Sequence, residues 1–237
     1  MKKILVLLAI VLTSIVSCST APKESADAPK ESAELPDFTT DGLKRVPHPE
    51  SFAVVYVEPG ANVAQYNRVY ITEPQVSFKK NWKRDQNAGT VGLSGKVSTR
   101  DMDRIKRKVA ELFMEVFTEE LAAGGYELAH ERGEDVLLVK PAIIDLDVNA
   151  PDIASSSRSR TYAETAGSMT LVIALYDSET DDLLAKALDP SADRNSPYMQ
   201  WQSGASNRAA AKRMMKPWAE ALRNGLDRAR EETGEEK

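Results

Sequence analysis

Reactive side chains are scarce in this sequence. Of 237 residues, one is cysteine and two are histidine, and aromatics make up only 6%. A lone cysteine excludes an internal disulfide framework, and so few Cys and His residues are poor material for a zinc cluster. No apolar run approaches the ~20 residues that a membrane-crossing helix needs. The formal net charge is −5, so the chain as a whole has no attraction for nucleic acid. What remains is 42% hydrophobic and 28% charged, the balance of a globular protein whose stability rests on core packing.

The N-terminus reads as an address. Lys2 and Lys3 precede an apolar stretch from Ile4 to Val16, broken only by Thr13 and Ser14. This has the length of a signal-peptide core. It ends in Ile15-Val16-Ser17-Cys18, which resembles the bacterial lipobox. The resemblance implies cleavage before Cys18, diacylglycerol on its sulfur and an acyl chain such as palmitate on its amine. An ordinary secretory signal is the alternative. That the only cysteine stands at the cleavage point favours lipidation. Ser19 rather than Asp follows it, which implies sorting to the outer membrane, facing the periplasm. Removing residues 1–17 takes two lysines with it and leaves 29 basic against 36 acidic side chains, a net of −7. On this count the lipid, not charge, holds the chain at a membrane.

Residues 18–37 then read as the lipidated cysteine and a flexible tether. Ala21-Pro22-Lys23-Glu24-Ser25-Ala26-Asp27 is nearly repeated by Ala28-Pro29-Lys30-Glu31-Ser32-Ala33-Glu34. Such a segment has too little apolar surface to fold, and stretched out it reaches roughly 60–70 Å. Residues 38–237 form a single domain in this reading. Strands are expected over Phe52–Val57 and Arg68–Thr72, and the polar stretch Val76–Val97 reads mostly as loop. Met102, Ile105, Val109, Leu112, Phe113, Val116, Phe117 and Leu121 recur at steps of three and four, the stripe of an amphipathic helix. Ser98 or Thr99 caps it and Gly124-Gly125 stops it. Val136–Val148 is a long strand in which Pro141 marks a bulge or an edge. Ser168–Tyr176 and Leu183–Leu188 make a hairpin. A last helix spans about Ser206–Glu232, with Pro217 kinking or dividing it. The expected fold is α+β, or α/β: a mixed sheet with two helices packed on one face.

Four segments carry a family resemblance. They are Tyr56-Val57-Glu58-Pro59-Gly60 with Tyr66-Asn67-Arg68-Val69; Leu137–Asp147; Thr170–Ala185 with Tyr176-Asp177-Ser178-Glu179-Thr180; and Trp218-Ala219-Glu220-Ala221-Leu222. In order and spacing the chain resembles a DUF3313-like family of bacterial lipoproteins known only as a domain of unknown function. The resemblance carries no established activity and transfers no catalytic residues. More distantly the pattern is similar to small envelope lipoprotein domains that bind other envelope proteins, such as activators of penicillin-binding proteins. That likeness is architectural, and architecture does not imply function.

Candidate chemistry is thin. His48 and His130 are isolated. Asp145 and Asp147, two apart on a strand, share a face and are the weak candidates for a cation or for acid/base work. Their alternation with Ile144, Leu146 and Val148 has a plainer explanation in a half-buried strand. Ser155–Ser157 lacks the glycine-flanked elbow of a hydrolase, and Gly92–Ser98 lacks the spacing of a phosphate loop. Large aromatics and arginine in loops are the more promising feature, as they anchor protein interfaces. Trp82, Arg84, Tyr198 and Trp201 are therefore the partner-binding candidates, with core packing the alternative for both tryptophans. Trp218 reads as core. The expectation is a non-enzymatic envelope lipoprotein without cofactor, its membrane contact made by the lipid on Cys18. It binds a protein partner or peptidoglycan and no nucleic acid. The rival is a small-ligand- or metal-binding enzyme using Asp145 and Asp147.

Overall fold

The computed structural model describes residues 35–88, 95–149, 151, 161–163, 167–193, 200–202 and 204–235. Ten strands occur in them: β1 (Lys44–Arg45), β2 (Val54–Val57), β3 (Arg68–Ile71), β4 (Gln75–Phe78), β5 (Glu127–Leu128), β6 (Val136–Val148), β7 (Thr161–Ala163), β8 (Gly167–Asp177), β9 (Leu183–Ala192) and β10 (Gln200–Gln202). The helices are α1 (Trp82–Asn87), α2 (Thr99–Ala123) and α3 (Gly204–Glu235). Eight strands form one mixed sheet in the order β1-β2-β9-β8-β6-β3-β5, with β4 also paired to β6; β7 and β10 form a separate antiparallel ribbon. Residues from Pro36 onward make up one compact unit. The α+β architecture inferred from periodicity is the one observed.

β6 organises the sheet. β8 pairs antiparallel along its length, and β3 and β4 pair parallel to it end to end on the other side. This corrects the placement of Pro141, which lies inside the sheet and not at its edge. Val139 O accepts from Thr72 N on the β3 side, so by strand alternation the position of the missing Pro141 N–H faces the same side. There β3 has ended at Ile71 and β4 has not yet begun at Gln75. No ladder bond is demanded of the proline.

The bulge lies further on, between Ile144 and Asp147, where Asp145 adopts a left-handed φ of 51°. One added residue reverses which side chains face inward. Leu137, Val139 and Ile143 point into the core before it, and Leu146 after it. Gly167 closes the other side of this irregularity. Its φ is 142°, and a β-carbon there would stand 1.8 Å from Asp147 O.

Within the stretch read mostly as loop, residues 76–97, the described part holds most of β4 and all of α1. Four residues of alternating exposure and a six-residue helix are too short to show a period. α2 begins with a capping box: Asp101 N donates to Ser98 Oγ at 3.2 Å, and Ser98 N donates to Asp101 Oδ2 at 3.0 Å. Leu112, Phe113, Val116, Phe117 and Leu121 are buried against the sheet, with Phe113 and Phe117 stacked at 3.9 Å. α3 runs through Pro217 as one helix. It buries Met214, Met215, Trp218, Ala219, Leu222 and Leu226 in the same core. Arg223 on α3 reaches Glu120 on α2 at 2.8 Å. Such surface pairs align helices more than they stabilise them.

Gly167→Ala is expected to lower the urea midpoint strongly, by more than ~2 kcal/mol, because both the φ and the contact with β6 forbid a side chain. A midpoint within error of the parent would contradict this account of the bulge.

Candidate functional site

Tyr66, Asp177 and Ser178, from two of the family-like segments, come together at one end of the sheet, where they hold the β8–β9 turn. Asp177 closes the turn between β8 and β9, where its Oδ1 accepts from Glu179 N at 2.8 Å and Thr180 N at 2.9 Å. Its Oδ2 accepts from the Tyr66 hydroxyl at 2.8 Å. Ser178 is fully buried. Its Oγ donates to Gly133 O at 2.8 Å and accepts from Gly133 N at 3.0 Å, clamping the turn to the loop before β6. Arg132 adds bonds to Ser178 O and to both oxygens of Asp181.

A second set sits beneath α3. The buried Trp218 indole donates to Asp189 Oδ2 at 2.7 Å, and Asp189 Oδ1 accepts from Ala53 N at 2.8 Å, which joins helix, β9 and the lead-in to β2. Tyr126 donates to Asp227 at 2.8 Å while Arg230 lies over its ring at 4.1 Å and donates to Tyr66 O.

Titration follows these contacts. Thr180 N and the Tyr66 hydroxyl hold Asp177 below the usual carboxylate range. Burial, reinforced by the Asp177 bond, pushes Tyr66 up to about 12. Burial likewise raises Tyr126. None of these groups is poised near neutrality as an acid or base would be.

The predicted site residues fare differently. Asp145 is exposed on the bulge, and Asp147 pairs with Lys79 at 3.1 Å. The bulge breaks the alternation that would have placed the two carboxylates on one face. No group of three or more His, Cys, Asp or Glu residues is positioned to hold a metal among the described residues. His48 and His130 are exposed.

Trp82 is only 3% exposed. It stacks on Phe78 at 4.1 Å and donates from Nε1 to Val148 O at 3.2 Å. Of the two alternatives held for it, the structure places it in a satellite core, and a partner approaching there meets its basic neighbours instead. Arg84 is exposed, beside Asp85 at 3.0 Å. Trp201 pairs through its backbone with Tyr162 in the β7–β10 ribbon. Cys18, Tyr198, Ser155–Ser157 and Gly92 lie outside the described residues.

Two concavities escaped the sequence. A cavity of about 300 Å³ lies between α2, the first half of α3 and the ends of β6 and β8, lined by Ile105, Val109, Leu146, Met169 and Met214 with Arg104 and Lys108. A groove of about 460 Å³ runs between the second half of α3 and strands β2 and β9. No sequence signal could have shown either one, because each is assembled from elements far apart in the chain. Among the described residues no helix is long and apolar enough to cross a membrane.

This geometry accompanies a clear family assignment: residues 36–222 match the model of the DUF3313 family, described as proteins of unknown function, and the chain belongs to that family. No curated protein matches it. Solved structures align with it at low identity and low TM-score. The PelC dodecamer from Paraburkholderia phytofirmans aligns at 12% identity over 71% of this chain and 96% of that one, with a TM-score of 0.35. A candidate lipoprotein from Caulobacter crescentus aligns at 12% over 73% and 94%, TM-score 0.32. A DUF4136 family protein from Bacteroides thetaiotaomicron aligns at 11% over 71% and 94%, TM-score 0.32. At these scores the likenesses carry no argument.

Two outcomes test the structural account of these residues. Folded Tyr66 titrates near 12 against an ordinary 10.0, so its stabilisation is complete below pH 10 and falls away between 10 and 12. Tyr66→Phe should flatten that alkaline loss. Asp177 has the opposite sign: its contribution is present above the ordinary carboxylate range and disappears as pH falls through its lowered value. Asp177→Asn should flatten the acid limb of a stability–pH curve. Separately, millimolar calcium should leave the melting temperature unchanged, and a rise abolished by Asp145→Asn would restore the cation idea.

Proposed function

We propose that this protein is a non-enzymatic lipoprotein of the cell envelope that presents a binding or scaffolding module on a lipid-anchored tether. Cys18 carries the lipid in this reading, palmitate included, and the domain faces the periplasm from the outer membrane. The observation that carries the proposal is the use made of the polar residues of the family-like segments. Asp177 closes its turn and holds Tyr66, Ser178 clamps that turn to Gly133, and Trp218 reaches Asp189, which in turn holds Ala53. This is how a rigid scaffold is built, and its accessible features are the groove, the cavity and charged helix surfaces. Such features suit a macromolecular partner in the envelope, a protein or peptidoglycan. The lipobox-like run and the proline-rich repeat supply attachment and reach.

Attachment is tested by metabolic labelling with a palmitate analogue. Label should be incorporated into the parent and lost in Cys18→Ala. The module is tested by in-cell photo-crosslinking from positions 84 and 201. One dominant envelope partner, lost with Cys18→Ala, is the expected outcome. A spread of weak adducts independent of Cys18 would reject the tethered module and return weight to a small ligand in one of the two concavities.

A further inference from the structure

The acidic net charge conceals a segregation. Residues 79–108 contain ten lysines and arginines against three aspartates, a net of +7, while the rest of the chain after residue 17 sums to −14. The fold gathers this surplus. α1 lies beside the first turn of α2, where Lys83 Nζ donates to Thr99 Oγ1 at 2.9 Å. The cations before α1, on it and along the first turns of α2 therefore share one end of the domain. The aspartates offset only part of this surplus: Asp101 is buried and bonded to Ser98 and Arg104, Asp85 is paired with Arg84, and Asp103 is exposed on the first turns of α2. Lys80, Arg100, Arg107 and Lys108 are exposed and make no ion pair with another described residue.

We propose that this basic end is a docking surface for an anionic lipid bilayer. Lys80, Arg100, Arg107 and Lys108 are long, exposed and spread over the surface rather than gathered at one point, which suits a diffuse array of phosphates more than a single ligand needing bidentate geometry. The apolar cavity adjoins the same end, since Arg104 and Lys108 line it beside Ile105, Val109 and Met169, together with Glu111 and Asp147. A headgroup held by Lys108 thus has apolar space next to it for part of an acyl chain. A purely polar anionic polymer has nothing to place in that space, and the pairing of spread cations with an apolar recess is what favours the lipid surface.

Reach is also sufficient. The domain begins beside β2, where Tyr56 donates to Pro36 O, whereas α1 follows β4 on the far side of β6. Seven strands across the sheet span about 30 Å, and the stretched tether covers roughly 60–70 Å. The proximity of a bilayer rests on the lipid-anchor reading of Cys18.

The test uses the mature chain with Cys18→Ser, so that no lipid masks the surface. It is sedimented with vesicles of phosphatidylethanolamine and phosphatidylglycerol (3:1), or of phosphatidylcholine, at 50 and 500 mM NaCl. Binding is expected to the anionic vesicles alone and to vanish at the higher salt. Each cation near such a surface contributes about fivefold. Lys80→Gln, Arg100→Gln, Arg107→Gln and Lys108→Gln combined should weaken partition at least tenfold with an unchanged melting curve, while Lys44→Gln on β1 should not. Equal binding to neutral vesicles, no binding at 50 mM, or an unaffected quadruple variant would overturn the proposal. So would sedimentation with purified peptidoglycan but not with vesicles, which would assign the surface to the polymer. Palmitate labelling and crosslinking are scored independently, so failure here leaves the tethered-module reading standing, and the reverse.

Discussion

Strand β6 has to satisfy different partners on its two edges. Along one it keeps register with a single antiparallel strand, β8, from Leu137 to Val148 with one slip; along the other it receives two short parallel strands in succession. The remainder of the domain depends on how that difference is accommodated. Pro141 falls at the joint between β3 and β4, where no donor is wanted. Asp145 takes up the slip against β8, and Gly167 leaves room for the resulting backbone contact. Because the bulge shifts the inward face from odd to even positions, Leu146 and Val148 line the far end of the core beneath α2 and close off the cavity there. A regular strand would have turned Asp147 inward instead, leaving a carboxylate to be desolvated under a helix.

Rigidity at the opposite end comes from side chains that replace missing ladder bonds. The β8–β9 turn, the loop before β6 and the start of β3 meet through Ser178, Asp177 and Tyr66, and Arg230 draws the last turns of α3 onto the Tyr66 carbonyl. These bonds lie in buried or half-buried positions, where an unpaired group would lose more than the bond itself is worth. That asymmetry explains why polar residues can be a structural signature. Substituting one partner leaves the other stranded, so each such position carries a stability cost when it is changed.

The long elements could be read from the sequence because their signals are redundant. α2 has eight apolar positions in phase, a capping serine and a glycine stop, and β6 is thirteen apolar-rich residues closed by Asn149. β4 and α1 could not be read so, having four and six residues with Lys79 and Lys80 between them. Nor could the bulge. Ile143-Ile144-Asp145-Leu146 fits either inward phase until the pairing with β8 is known. For the site, composition favoured surface roles for both histidines, and they are exposed. Trp82 illustrates the limit of composition: one indole among lysines looks like an interface anchor, and only the position of Phe78 and the Val148 carbonyl shows what fills its hydrogen bond. The two concavities, formed between residues more than a hundred positions apart, have no local signature at all.

Charge segregation changes what a modest attraction can accomplish on a tethered domain. A short flexible linker confines its module at an effective concentration in the millimolar range. A surface whose intrinsic affinity for lipid is only millimolar would be near half-occupied on an anchored chain, and unoccupied on a free one. The net acidity of the remainder works in the same direction. With about twice the opposite charge on the rest of the molecule, an anionic bilayer repels every other approach and selects the basic end. The anchor would then set proximity and the charge asymmetry orientation. A domain lying with α1 and the first turns of α2 toward lipid would turn its acidic remainder, including the groove between α3 and β2, toward the space where a partner could be met.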